Sequence, residues 1–131
     1  MAEKMPTVVV IDNSPAVRKL FERSTENLAI DLQVFATAEE SWAFLRDHKP
    51  DLLILSIILP GKNGLIFLRE LRNNPLHQDT SVIMVSTKDY TQDRRAASEL
   101  GALDYISKPM PMQTITDVVV KYTKARPKSG Q

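Results

Sequence analysis

Five side chains with useful chemistry follow short apolar runs in this sequence. The first run leads to an acid and an amide, the third and fourth each end on a serine, and a lysine follows the fifth: Asp12, Asn13, Ser56, Ser86 and Lys108. A carboxylate can chelate a cation, an ammonium group can bind phosphate, and a serine hydroxyl can be a nucleophile when a base activates it. Each residue alone is weak evidence, because polar residues often end strands where the chain turns into solvent.

Strand and helix patterns alternate five times along the chain and would position these residues. Apolar or β-branched runs predict strands at 7–11, 32–35, 51–56, 81–86 and 103–107. Capping signals at Ser14, Thr37 and Asn63 start three helices, the first of which keeps helical spacing as far as Leu28. Two more helices are predicted from about residue 89 to 100 and from 111 to about 124.

The last helix is the least certain of these elements, because the segment 115–120 is rich in β-branched residues. The alternation favours a helix here, since an extra strand would leave one face of the sheet bare. Five such units predict an α/β fold, with a five-stranded parallel sheet between two layers of helices. Because a sheet of this kind places its site at the carboxyl ends of its strands, the five polar residues are expected to lie together.

Composition narrows the function further. The 131 residues suit one domain over residues 1–125, followed by a flexible tail or the start of a linker at 126–131. A net charge of +1 gives no reason to expect nucleic acid or a membrane as a partner. The chain has no cysteine, and its two histidines, His48 and His77, are expected to be solvated rather than metal ligands. Without a signal peptide or a membrane-length apolar run, we expect a cytoplasmic protein.

Five segments in order resemble the response-regulator receiver (CheY-like) family. They are residues 8–14, 50–55, 59–64, 82–87 and 101–109, and the resemblance covers roughly residues 6 to 124. It implies a doubly wound (βα)5 sandwich of the flavodoxin-like or CheY-like type. It also implies that Ser86 and Tyr105 match the family's switch pair and that the Lys108–Pro109 bond is cis. For that pair, an ordinary strand-end hydroxyl and a half-exposed aromatic are equally compatible with the sequence.

The resemblance makes Ser56 the most telling residue, because receivers carry the phosphate-accepting aspartate at this position. A serine hydroxyl is not ionised near neutral pH, and Asp12 is the one candidate for a base beside it. The family's metal ligands are the second acid of the pair, the acceptor aspartate and a backbone carbonyl, which here correspond to Asn13, Ser56 and Ile58. The charges of Asp12 and Lys108 sum to zero. We therefore predict that these two pair directly and that Mg²⁺ binding is weak or absent, with no other cofactor.

The leading hypothesis is an atypical receiver, or pseudo-receiver, that is not an enzyme and acts through phosphorylation-independent protein–protein interaction. Partners would be a histidine kinase, another signalling protein or a second copy of the chain, as in a homodimer. The resemblance places the partner surface on the fourth helix, fifth strand and last helix, at Tyr90, Arg94, Arg95, Tyr105, Met110, Met112 and Lys121. The plainer interpretation is that these residues are merely solvated.

Other functions remain open on the sequence. The chain could still take part in a phosphorelay through Ser56 or another acceptor, or Ser56 could be the target of a serine kinase. A flavodoxin-type cofactor site would need a glycine-rich phosphate loop, which is missing after Asp12. A hydrolase nucleophile would need the glycines of a nucleophile elbow, which Ser56 lacks.

Overall fold

A single parallel sheet forms the centre of the computed structural model, which describes residues 5–128. Its strands are β1 (Thr7–Ile11), β2 (Asp31–Phe35), β3 (Leu52–Ser56), β4 (Val82–Ser86) and β5 (Asp104–Ser107), in the order β2-β1-β3-β4-β5. The register places Val10 beside both Val34 and Ile54. The predicted α/β class and all five predicted strands are confirmed.

Five helices cover the two faces of the sheet: α1 (Pro15–Ser24), α2 (Ala38–Leu45), α3 (Gly64–Arg72), α4 (Thr91–Glu99) and α5 (Met112–Thr123). The three predicted caps are present, since Ser14, Thr37 and Asn63 accept hydrogen bonds from main-chain N–H groups two or three residues ahead. The segment with strand propensity forms α5, because its apolar positions pack at helical spacing on the sheet.

Burial explains why the strands read as continuous apolar runs. On one face, Val9, Leu53 and Met84 pack against α2, α3 and α4. On the other face, Val10 and Ile54 pack against α1 and α5. All five of these side chains are at most 1% exposed, so both faces of each central strand need apolar residues.

The structure differs from the sequence prediction in its connections. Helix α1 ends at Ser24 rather than near Leu28, because the Thr25 hydroxyl and N–H both donate to the Phe21 carbonyl and close the last turn. A hairpin of two-residue strands, Ile58–Leu59 and Lys62–Asn63, separates β3 from α3. A one-turn 3₁₀ helix, Pro75–His77, precedes β4.

The predicted tail is held against the domain at its start. Lys124 has a left-handed backbone (φ 61°) that ends α5. The chain then crosses to the α1–β2 loop, where Ala29 N–H donates to the Arg126 carbonyl at 2.7 Å and Pro127 forms an antiparallel bridge with Leu28. The packed region therefore reaches Lys128, while residues 129–131 of the predicted tail lie outside the described residues. Within residues 5–128, no helix has the length and apolar character needed to cross a membrane.

Candidate functional site

The candidate site lies where β1, β3, β4 and β5 end at the same edge of the sheet. Asp12 follows β1, Ser56 and Ser86 end β3 and β4, and Lys108 follows β5. Asp12, Ser56 and Ser86 are at most 1% exposed. The parallel topology thus brings together residues that are up to 96 positions apart, as the sequence predicted.

A buried ion pair occupies the centre of this edge. Lys108 Nζ lies 2.5 Å from Asp12 Oδ2, and the two side chains are 14% and 1% exposed. The geometry is that of a charge contact rather than an aligned hydrogen bond, and this oxygen has no hydrogen-bond partner within residues 5–128. The other oxygen, Oδ1, accepts from the Ser14 N–H at 2.9 Å. The carboxylate is therefore neutralised by a lysine and fixed by the start of α1.

Ser56 lies beside this pair without a base to activate it. Its hydroxyl donates to the Ile58 carbonyl at 3.3 Å and lies 3.5 Å from Lys108 Nζ. The histidines are bonded elsewhere: His48 contacts the Phe44 carbonyl, and His77 contacts Leu45 and Thr80. An ammonium group can stabilise charge on the serine oxygen, but it cannot accept the proton that a nucleophilic step would release.

Asn13 is not brought into the cluster. It is exposed, and neither a hydrogen bond nor an ion pair joins its side chain to Asp12, Ser56 or Lys108. Across the described part of the chain, no group of three or more His, Cys, Asp or Glu side chains lies close enough to hold a metal ion. The Lys108–Pro109 peptide bond is cis, as the resemblance implied.

Ser86 and Tyr105 meet at the backbone of Lys88. Ser86 Oγ accepts from the Lys88 N–H at 3.0 Å, and the Tyr105 hydroxyl donates to the Lys88 carbonyl at 2.7 Å. Tyr105 is 7% exposed, and its burial raises the pKa of the phenol above its ordinary value. The guanidinium of Arg94 covers the ring at 4.7 Å from its centroid. The two residues are thus joined to the β4–α4 loop rather than to each other directly.

The predicted partner surface needs one correction. Tyr90, Arg94, Arg95, Met112 and Lys121 are exposed as expected. Tyr105 and Met110 are not part of that surface, because each is 7% exposed or less. Met110 packs with Ile115 and Val119 in the core beneath α5, and Tyr105 turns inward to bond with the main chain.

Two structural residues were missed by the sequence analysis. Gly64 begins α3 directly against the end of β3, where an added Cβ would lie 2.1 Å from the Ser56 carbonyl oxygen. His77 is fully buried rather than solvated, because both ring nitrogens are hydrogen-bonded within the core. The glycine after a capping asparagine was a visible signal, whereas the partners of His77 come from residues distant in sequence.

A parallel sheet of order 2-1-3-4-5 with a polar cluster at its carboxyl edge defines a flavodoxin-like α/β domain. The sequence profile of the response regulator receiver domain matches residues 8–120, and the chain belongs to that family. It is therefore a receiver domain of two-component signalling.

Individual relatives agree with this assignment. Response regulator Rre1 of Synechocystis is 30% identical over 122 residues, which cover 91% of this chain and 52% of that protein. Protein PilH of Pseudomonas aeruginosa is 27% identical, with 88% of this chain and 95% of that protein covered. The structure resembles a CheY-like receiver domain protein from Methanospirillum hungatei (TM-score 0.84, 20% identity, 92% and 95% covered). The chain spans about half the length of most of the curated relatives it matches.

Proposed function

We propose that this domain is a pseudo-receiver, which signals by binding proteins without being phosphorylated at the usual position. The observation that carries the proposal is the ion pair of Asp12 and Lys108 beside Ser56. Ser56 ends β3, the strand whose end carries the acceptor aspartate in the family that the sequence resembles. With a hydroxyl in place of a carboxylate, the site has neither the ionised nucleophile nor the negative charge that phosphoryl transfer through Mg²⁺ needs.

The residues present do not fit Mg²⁺. This ion prefers one or two carboxylates in an octahedral set of oxygen ligands. Here one carboxylate is already paired with an ammonium group, and the Ile58 carbonyl accepts the Ser56 hydroxyl. A cation would have to displace Lys108 from Asp12 and break that second bond. Weak or absent Mg²⁺ binding is thus part of the proposal.

An NMR titration of the intact chain with Mg²⁺ and beryllofluoride, which mimics a phosphoryl group, tests this function. We expect the amide signals of Asp12, Ser56, Ser86 and Lys108 to stay in place, because the pocket offers no anionic ligand for the metal. Shifts at these four amides that extend to Tyr105 would contradict the proposal. They would favour the alternative, in which the chain still takes part in a phosphorelay, and a mass gain of one phosphoryl group from a donor would then locate the acceptor.

Receiver domains interact with kinases and other signalling proteins, and we infer that this one keeps such a role. The α4–β5–α5 surface, defined here by its exposed residues Tyr90, Arg94, Arg95, Met112 and Lys121, is the proposed contact. Aromatic, arginine and methionine side chains are enriched at protein interfaces. The partner would be a kinase, another signalling protein or a second copy of the chain, and this domain itself would be neither an enzyme nor a nucleic-acid binder.

Charge reversal tests the surface. We expect Arg94→Glu with Arg95→Glu to weaken binding to the partner, or self-association, at least about tenfold, because two exposed cations become anions at the contact. Binding is measured by calorimetry or sedimentation. Lys19→Glu with Arg23→Glu is the matched control, since both residues are exposed on α1 in the other helix layer. Equal effects of the two pairs would exclude the α4–β5–α5 surface. Because Arg94 also covers Tyr105, Arg95→Glu alone separates binding from local packing.

A further inference from the structure

Helix α4 makes little contact with the domain it belongs to. Of its nine residues, Ala97 is the single buried one, and Thr91, Gln92, Arg94 and Arg95 are exposed. Its N-cap residue, Tyr90, makes no side-chain hydrogen bond to the helix. A short helix that is polar on nearly all sides is not stable by itself, so external contacts must hold α4 in place.

The carboxyl end of α4 is held by an arginine on α3. Arg72 Nε donates to the Leu100 carbonyl at 2.8 Å, and its Nη2 reaches the Gly101 carbonyl at 3.3 Å. These are the two residues that follow α4. Arg72 thus satisfies carbonyl groups that the end of a helix leaves without partners.

Arg72 is itself fixed from the opposite side. Its Nη1 donates to the carbonyls of His77 and Thr80, each at 2.8 Å. His77 is fully buried, and its Nε2 lies 2.6 Å from the Leu45 carbonyl at the end of α2. A carbonyl only accepts, so Nε2 carries the hydrogen and Nδ1 faces the Thr80 hydroxyl at 2.9 Å. The guanidinium is therefore part of a rigid corner that joins α2, α3 and the end of α4.

The amino end of α4 has weaker attachments. Arg94 pairs with Asp89, but both side chains are about half exposed, and exposed ion pairs contribute little to stability. The remaining contacts are the Arg94 guanidinium over Tyr105 and the Tyr105 hydroxyl on the Lys88 carbonyl. The two ends of α4 are thus held with unequal strength.

We propose that Arg72 is the fixed point of a conformational device: the carboxyl end of α4 stays fastened while its amino-terminal half, residues 91–95, opens and recloses. Resting on the proposed function, this adds a regulatory step, because a partner that binds Arg94 and Arg95 on the closed helix would select the closed state. Binding at the α4–β5–α5 surface would then order the helix as well as occupy it.

Amide hydrogen exchange of the intact chain tests the device without partner or phosphodonor, so its failure would leave the proposed function standing. In the unmodified protein, we expect the amides of Arg94 and Arg95 to exchange at least about tenfold faster than those of Leu100, Gly101 and Ala102. In Arg72→Met, exchange at these last three amides should rise about tenfold or more, while amides of α1 and α5 keep their rates.

The matched control is Arg69→Met, which removes an exposed arginine one turn earlier on α3 and should leave α4 unchanged. If Arg72→Met does not fold, Arg72→Lys keeps the charge but cannot reach all four carbonyls, and should raise exchange at the same three amides by a smaller factor. A uniform rise over α1, α4 and α5, or equal rates at the two ends of unmodified α4, would overturn the proposal.

Discussion

Replacing Asn13 and Ser56 together by aspartate is expected to create a Mg²⁺ site where the present chain has an ion pair. The local charge changes from zero, for Asp12 with Lys108, to −2. Two added carboxylates supply the anionic oxygens that Mg²⁺ prefers, and we expect its affinity to rise about 100-fold or more, equivalent to about 2.7 kcal/mol. Asn13 is exposed, so its replacement can turn toward the pocket without creating a buried clash.

The stability of this double variant should also become metal-dependent. Without Mg²⁺, like charges beside Asp12 should lower the free energy of unfolding by about 1–3 kcal/mol, and about 10 mM MgCl₂ should restore it through binding to the folded state. Thermal unfolding with and without the metal measures both effects. Asn27→Asp with Gln92→Glu adds the same charge at exposed positions away from the site and should show no metal dependence. If the unmodified chain responds to Mg²⁺ as strongly as the double variant, the proposed loss of metal binding is wrong.

Gly64→Ala is expected to have the largest effect of any single methyl group added to this domain. The new Cβ would lie 2.1 Å from the Ser56 carbonyl oxygen and 2.8 Å from Ile57 Cα, both of which are backbone atoms. The Gly64 N–H also donates to the Ile57 carbonyl at 2.6 Å, so α3 cannot move away without losing that bond. We expect the free energy of unfolding to fall by about 3 kcal/mol or more.

Urea denaturation of the variant measures this loss, with Gly61→Ala as its control. A Cβ at Gly61 would meet no heavy atom within 4 Å, but its φ of 72° is strained for alanine, which costs about 1 kcal/mol. Equal losses in the two variants would mean that backbone conformation, rather than the approach of α3 to β3, explains the need for glycine at position 64.

The strands and the buried faces of the helices could be predicted because their signals are local and repeated. β-Branched residues at 115–120 favoured a strand, but the need to cover the sheet decided for α5, and the structure agrees. The end of α1 could not be placed, since Leu28 keeps helical spacing while bridging Pro127, 99 positions away. Two-residue strands such as Ile58–Leu59 are too short to show any periodicity.

For the candidate site, topology placed the residues, but it could not decide where their side chains point. Asp12, Ser56 and Lys108 end buried strands, and the ion pair follows from their charges. Asn13 follows the same strand and is nevertheless exposed. His77 was misplaced for a related reason: its burial depends on the Leu45 carbonyl, 32 positions away, which no local pattern reveals.

The strap formed by residues 125–128 has a consequence for the connectivity of the domain. Arg126 accepts a hydrogen bond from Ala29, and Pro6 accepts one from Asp31, only two residues further along. The first and last parts of the described chain therefore lie side by side at the start of β2, as they do in proteins that tolerate circular permutation. A short glycine-rich linker from residue 128 to residue 5 would close the backbone into a ring. New ends could then be opened in an exposed loop such as 88–90, next to the helix that binds partners in our proposal.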